Sequence, residues 1–218
     1  TLFPAQEWMT CVGRLAFPIF AFMIAEGCYY TSNVKKYMLR LFLFAIISEI
    51  PFNLIMGSSV FYPFHQNVLW TFLLGVLSIQ IIEKAKKKQK KWISFFVVCL
   101  VLLMDFLLGT ITMVDYNAAG ILTVLLFYFF RKKTWISFAA QFVGLYYLNV
   151  VMLGNLYYPV TILGHHFEIA QQSFALLALI PIWLYHGEQG YHSKWFKYFC
   201  YAFYPVHLLI LVVIWQWR

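Results

Sequence analysis

The sequence predicts an all-α fold, a polytopic transmembrane helical bundle of about eight spans. Hydrophobic residues make up 63% of the 218 residues and charged residues only 11%, and the mean hydropathy is +0.75. Such a chain has too little polar surface to cover a water-soluble domain. Its apolar runs are long and lack period-two alternation, which excludes a β-barrel. Because a backbone in lipid must satisfy its hydrogen bonds internally, helices are the remaining choice.

Each predicted helix is an apolar run, and a bilayer core of roughly 30 Å requires about 17–25 such residues. The runs lie near 13–31, 36–56, 67–82, 92–109, 116–130, 134–154, 169–185 and 196–217. The third and fifth are short, which predicts tilted or partly re-entrant segments. Prolines inside the first, second, seventh and eighth runs predict kinks.

Cations follow every second run, in order along the chain. They are Lys35, Lys36 and Arg40 after the first run, six lysines between Lys84 and Lys91 after the third, Arg131, Lys132 and Lys133 after the fifth, and Lys194 and Lys197 after the seventh. This alternation predicts that the basic loops face the cytoplasm. It also accounts for the net charge of +8, so lipid, and not nucleic acid, is the expected partner. With this orientation the first run starts outside, and we expect a further helix before Thr1.

Ionisable residues at membrane depth are the functional candidates, because lipid tolerates them poorly. Arg14 opens the first run, Glu49 lies deep in the second, and His207 lies in the middle of the last. Arg14 can instead reach the interface, and Glu49 can be its internal ion-pair partner. His207 can instead bond a carbonyl that Pro205 leaves free. His65 is the strongest candidate, because Gln66 and Asn67 follow it at the mouth of a helix.

A metal site is not expected. The four cysteines are scattered and form no CxxC pair, which is typical of small buried hydrophobic residues. His165 and His166 are adjacent, and adjacent side chains point in different directions on a regular backbone.

Four blocks of sequence carry a family resemblance. They are GRLAFPIFAFMIAEG, TSNVKKYMLRLFLFAIISEIPFNL, FHQNVLWTFLLG and KYFCYAFYPVHLLIL, in this order along nearly the whole chain. Together they resemble the TraX family of bacterial integral membrane proteins. The family is named for a conjugal-transfer protein that acetylates the N-terminus of pilin, and it is similar to wider transmembrane acyltransferases. Its members usually begin with a helix carrying an adjacent Asp-His pair, whose His is the favoured base. That helix does not occur in this sequence.

The resemblance implies an acetyltransferase in the bacterial cytoplasmic (inner) membrane. Acetyl-CoA in the cytoplasm would be the acyl donor, and the acceptor would be a pilin-like protein, a glycan or a small molecule. His65, with the His of the preceding helix, would transfer protons. Arg14, Asn67 and Asn117 would act as hydrogen-bond donors or orienting groups. Glu49 would be the partner of Arg14, and His207 would line the same cavity. Candidates for binding the CoA phosphates are Lys35, Lys36, Arg131, Lys132 and Lys133.

Two other classes of function remain open at this point. A small ion-coupled transporter would use Glu26, Glu49, His65 and His207 as a relay across the bundle. The outward bias of the polar groups and the lack of an internal repeat speak against it. A non-catalytic assembly factor for a conjugative or surface apparatus is the third class.

Overall fold

A computed structural model of the chain describes residues 7–154, 156–162, 165–188, 190 and 193–216. The elements are α1 (Glu7–Tyr30), α2 (Val34–Gly57), α3 (Val68–Lys88), α4 (Lys91–Ile111), α5 (Asn117–Phe129), α6 (Trp135–Tyr146) with a π-helical continuation (Tyr147–Met152), β1 (Tyr157–Ile162), β2 (His165–Ala170), a 3-10 helix (Gln171–Ala178), α7 (Leu179–Leu184) and α8 (Lys194–Gln216). The predicted all-α helical bundle is confirmed, with one short hairpin added to it.

The helices fall into two classes of length. Within the described ranges, six are long and apolar enough to cross a membrane: Met9–Tyr30, Val34–Gly57, Val68–Lys88, Lys91–Ile111, Trp135–Met152 and Tyr198–Gln216. Asn117–Phe129 and Gln171–Leu184 are apolar but shorter. The predicted eight spans therefore correspond to six full-length segments and two short ones.

Two predicted spans differ from the structure. The third is not short, because α3 continues through Lys86–Lys88 for 21 residues. Lysine favours helices and interacts well with a helix C-terminus, so the helix extends beyond the apolar run. The seventh begins in a strand, since β2 pairs antiparallel with β1, with Ile162 opposite His165 and Tyr157 opposite Ala170. Hydropathy alone does not separate a short apolar strand from a helix.

The short helix α5 lies at the centre of the bundle, in contact with α1, α3, α4 and α6. Ile121, Val124 and Phe127 on α5 are buried almost completely. Close packing on α4 depends on Gly109, where a Cβ atom would lie 2.6 Å from the Cα of Ala118. A larger residue there would require the helices to separate. α2 packs on α3 and α8, away from this centre.

The outer surface of the helices is strongly apolar. Phe95, Ile136 and Trp195 are examples of large hydrophobic side chains that are 65%, 78% and 86% exposed. Contiguous apolar exposure on this scale is unfavourable in water, whereas hydrocarbon solvates it. The bundle is therefore built to contact lipid.

The loops with the cations lie at one end of the bundle, which we call the basic end. Contacts between side chains establish this: Arg131 bonds Glu26 near the end of α1, and Lys86 on α3 lies 5.1 Å from the ring centre of Phe129 on α5. Lys133 donates to the carbonyl of Trp183 at 3.0 Å, so the end of α7 also lies at the basic end. The other end, with the α2–α3 and α4–α5 loops and the hairpin, is called the opposite end.

Candidate functional site

The candidate site lies at the opposite end, where two loops are joined by backbone hydrogen bonds. The amide of Gln66 donates to the carbonyl of Met113 at 3.0 Å, and the amide of Asp115 donates to the carbonyl of Gln66 at 2.9 Å. The hydroxyl of Thr71 donates to the carbonyl of Asp115 at 2.7 Å. Tyr116 adopts a left-handed backbone conformation with φ of 62°. Such strain in a residue with a bulky side chain is often found at functional sites.

These loops place His65 beside Asp115. The distance from Nε2 of His65 to Oδ1 of Asp115 is 3.4 Å, and 33% of the His65 side chain is exposed, so the imidazole is accessible at the surface of the protein. The imidazole stacks on the ring of Phe52, with the centroids 5.6 Å apart. The Asp115 carboxylate raises the pKa of His65 above its ordinary value, and the charge of Glu49 acts in the same direction. The pair can accept a proton and hold it.

Glu49 and Asn67 lie next to this pair, at the start of α3. Asn67 is the N-cap of α3, and its Oδ1 accepts from the amide of Leu69 at 3.1 Å. Its Nδ2 donates to the carbonyl of Ala45 at 2.9 Å and also to Oε2 of Glu49. Trp70 Nε1 donates to the same Glu49 oxygen at 2.9 Å. These two side-chain donors hold Glu49 at the start of α3, where a helix N-terminus also favours a carboxylate. We call His65, Asp115, Glu49, Asn67 and Trp70 the His65 cluster.

The predicted ion pair between Arg14 and Glu49 is wrong. Nη2 of Arg14 donates to Oε1 of Gln171 at 2.9 Å, and Nε2 of Gln171 donates to the hydroxyl of Tyr158 at 2.5 Å. The physical reason is the packing of the helices. α1 contacts mainly the 3-10 helix and α5, whereas α2 contacts α3 and α8. Arg14 therefore faces the hairpin, although it also approaches the hydroxyl of Tyr116, the residue after Asp115.

His207 and Asn117 lie outside the His65 cluster. His207 Nδ1 is 3.0 Å from the carbonyl of Phe203 on its own helix, and its ring meets that of Tyr204 with centroids 5.3 Å apart. This carbonyl is not the one that Pro205 frees. The hydroxyl of Tyr204 lies close to the backbone of Val68 at the start of α3, next to the cluster, whereas the polar contact of His207 is with its own helix. Asn117 begins α5 with an exposed side chain.

The cations predicted to bind phosphate have different surroundings at the basic end. Arg131 is neutralised by Glu26, with 2.5 Å between Nε and Oε1, and its guanidinium lies 3.6 Å from the ring centre of Tyr29. Lys133 is engaged by the carbonyls of Trp183 and Tyr185. The remaining three, Lys35, Lys36 and Lys132, are exposed to solvent.

A cavity of about 950 Å³ opens at the same end, and Arg40 is the cationic side chain among its described lining residues. It lies between α1, α2, α7 and α8, with Glu26 in its wall. Arg40 belongs to the first group of cations in the sequence, but its role was not predictable, because its position seven residues beyond the N-cap Asn33 of α2 is visible only in the helix.

Three residues in or next to the His65 cluster are difficult to recognise as site residues from the sequence: Asp115, Trp70 and Tyr204. Asp115 was recognisable as an acid between two runs, but 50 positions separate it from His65. Trp70 and Tyr204 are two of many aromatic residues in apolar runs. Only the packing of α2 against α3 and α8 assigns them to the site. Among the described residues, no group of three or more His, Cys, Asp or Glu side chains is arranged to hold a metal ion.

The bundle and its two polar ends define a multi-pass integral membrane protein with an ionisable site at the end of its helices. The family described as TraX protein matches residues 2–215, and the chain belongs to this family, as its sequence blocks predicted.

A curated relative matches over most of its length. The chain is 26% identical to the probable fimbrial assembly protein FimC, serogroup H1, of Dichelobacter nodosus over 213 residues, which cover 94% of this chain and 82% of the relative. No solved structure matches the chain.

Proposed function

We propose that the protein is a membrane acetyltransferase that moves an acetyl group from acetyl-CoA to an amine or hydroxyl. The observation that carries this proposal is the His65–Asp115 pair, with 3.4 Å between Nε2 and Oδ1. A carboxylate that holds an imidazole in this way orients it as a general base. With its Nε2 proton directed at Asp115, His65 presents the lone pair of Nδ1.

The proposed step is a direct acyl transfer. His65 takes the proton of the acceptor N–H or O–H, and the nitrogen or oxygen forms a bond to the acetyl carbonyl carbon. The C–S bond of acetyl-CoA breaks, and the leaving thiolate receives the proton that His65 took from the acceptor. Nε of Arg14 is buried and has no hydrogen-bond partner in the described part of the chain, so it is our candidate donor to the developing oxyanion. Asn67, both of whose amide hydrogens are engaged by Ala45 and Glu49, acts as a positioning residue.

The acceptor is proposed to be a pilin-like protein, with its N-terminal amine as the reacting group. The name of the Dichelobacter relative supports a role in fimbrial assembly, and the His65 cluster faces the end of the bundle opposite the basic loops. A glycan hydroxyl and a small molecule are the alternatives with the same chemistry.

Mass analysis of membrane and surface proteins tests this function. We compare cells that have the gene with cells that lack it, and we expect acetyl groups to disappear from at least one acceptor when the gene is absent. Restoring the full-length gene should restore them, whereas a His65→Gln copy should not. Unchanged acetylation combined with loss of surface fibres would favour the assembly factor, and ion-coupled flux without acetylation would favour the transporter.

We further propose that the protein lies in the inner membrane with its basic end in the cytoplasm, because cationic loops are retained there. In a variant with serine at the four native cysteines, Lys88→Cys and Phe61→Cys place one thiol at each end. An impermeant thiol reagent should label Phe61→Cys in intact cells and Lys88→Cys only after permeabilisation. The reverse pattern would invert the orientation.

A further inference from the structure

The cavity at the basic end has the features of a ligand site. Its volume of about 950 Å³ is at the upper end of the range for small-molecule pockets. Along α1 its lining changes from Ile19 and Phe22, deeper in the bundle, to Glu26 and Tyr30 at the basic end. An elongated ligand with one apolar and one charged end matches this gradient.

Arg40 gives the cavity an unsatisfied cation. Its Nε is buried and has no hydrogen-bond partner among the described residues, and its guanidinium lies over the Tyr201 ring, 5.8 Å from the centroid. A buried N–H without a partner is costly, and a guanidinium is well suited to binding phosphate. Tyr37, whose hydroxyl is 3.5 Å from the carbonyl of Ile24, stands beside it in the wall.

The acidic residues of the wall leave this cation available. Glu26 forms its ion pair with Arg131, and this pair balances the charge of its carboxylate. Glu188 is exposed at the rim, where water screens it.

We infer that this cavity binds a phosphate-bearing acyl donor, and that Arg40, rather than the exposed lysines, is the residue that binds its phosphate. The identification of the ligand as an acyl donor rests on the proposed function, whereas the phosphate site rests on Arg40 and the cavity. The apolar part of the lining would receive the uncharged arm that carries the acyl group. This part extends to Ile19, five residues from Arg14, which is about 7.5 Å along the axis of α1.

Binding of CoA to the purified full-length protein tests the inference. The protein is placed in nanodiscs of phosphatidylcholine, and CoA affinity is measured by calorimetry for wild type, Arg40→Gln and the matched control Lys88→Gln, which removes an exposed cation. We expect Arg40→Gln to weaken CoA binding by about tenfold or more, and Lys88→Gln to change it by less than about twofold. Equal affinities for the two variants would overturn the assignment.

Three further measurements make the outcome decisive. If Arg40→Gln does not fold, Ile19→Trp fills the cavity without a change of charge and should also block CoA. If phosphatidylglycerol binds in an Arg40-dependent manner and CoA does not, the phosphate belongs to a lipid headgroup and the donor assignment fails. If wild type binds CoA through Arg40 but no acetyl transfer occurs in the mass analysis, the phosphate site stands and the proposed enzyme fails.

Discussion

His65→Gln is expected to lower acetyl transfer by about 10²-fold or more, because general base catalysis contributes roughly that much to a rate. Glutamine keeps the polarity and approximate size of the side chain, but it cannot take a proton. The measurement is the rate of transfer to the acceptor identified by mass analysis, with CoA affinity measured in parallel. CoA affinity should be retained, since the cavity lies at the other end of the bundle. His186→Gln in the exposed loop after α7 is the matched control and should leave the rate unchanged.

The dependence on pH distinguishes a base from a merely structural histidine. The pKa of His65 is raised by Asp115, and only the neutral imidazole accepts a proton. The rate should therefore increase as the pH rises through this pKa and level off above it. Asp115→Asn removes the carboxylate, which should move the increase to lower pH and reduce the plateau. A His65→Gln protein with full activity, or an Asp115→Asn protein with an unchanged profile, would contradict the proposed role of the pair.

Loss of either partner of the Glu26–Arg131 pair is expected to cause the largest loss of stability. Both side chains are mostly buried, at 14% and 24% exposure, and their Nε–Oε1 distance is 2.5 Å. Arg131→Gln or Glu26→Gln leaves one charge without its partner, which should cost about 3 kcal/mol of unfolding free energy. The double variant should cost clearly less than the sum of the two single losses.

An exposed pair in the same part of the protein supplies the control. Nζ of Lys86 lies 3.3 Å from Oε1 of Glu83, and the two side chains are 44% and 30% exposed. Lys86→Gln should lower stability by less than about 1 kcal/mol, because water screens such pairs. Unfolding of the purified protein in detergent measures all four variants. Strictly additive losses in the double variant would show that Glu26 and Arg131 do not stabilise each other.

The helices lie closest to their predicted positions where hydropathy is the dominant physical signal. α2 and α4 lie close to the predicted runs, since the need to bury apolar side chains in lipid is a property of each segment by itself. The agreement is poorer where a segment is short or mixed. The run near 169–185 contains the end of β2, a 3-10 helix and α7, and its apolar composition is the same for all three.

The candidate site was likewise predictable only in part. His65, Glu49 and Asn67 were predicted because polar side chains in an apolar chain require partners. The partners themselves were not predictable. Glu49 was assigned to Arg14, whereas Asn67 and Trp70 bind it, and Arg14 binds Gln171.

The sequence by itself therefore determined the class of the protein, its helices, the grouping of its cations and its family. These properties depend on local hydropathy, charge and motif, which each segment carries independently of its neighbours. The tertiary structure decided which polar residues are in contact, His65 with Asp115 and Glu26 with Arg131, and it placed Arg40 in the wall of the cavity. These contacts depend on which helix faces pack together, and in an apolar bundle many faces have similar composition. Only the packed structure selects among them.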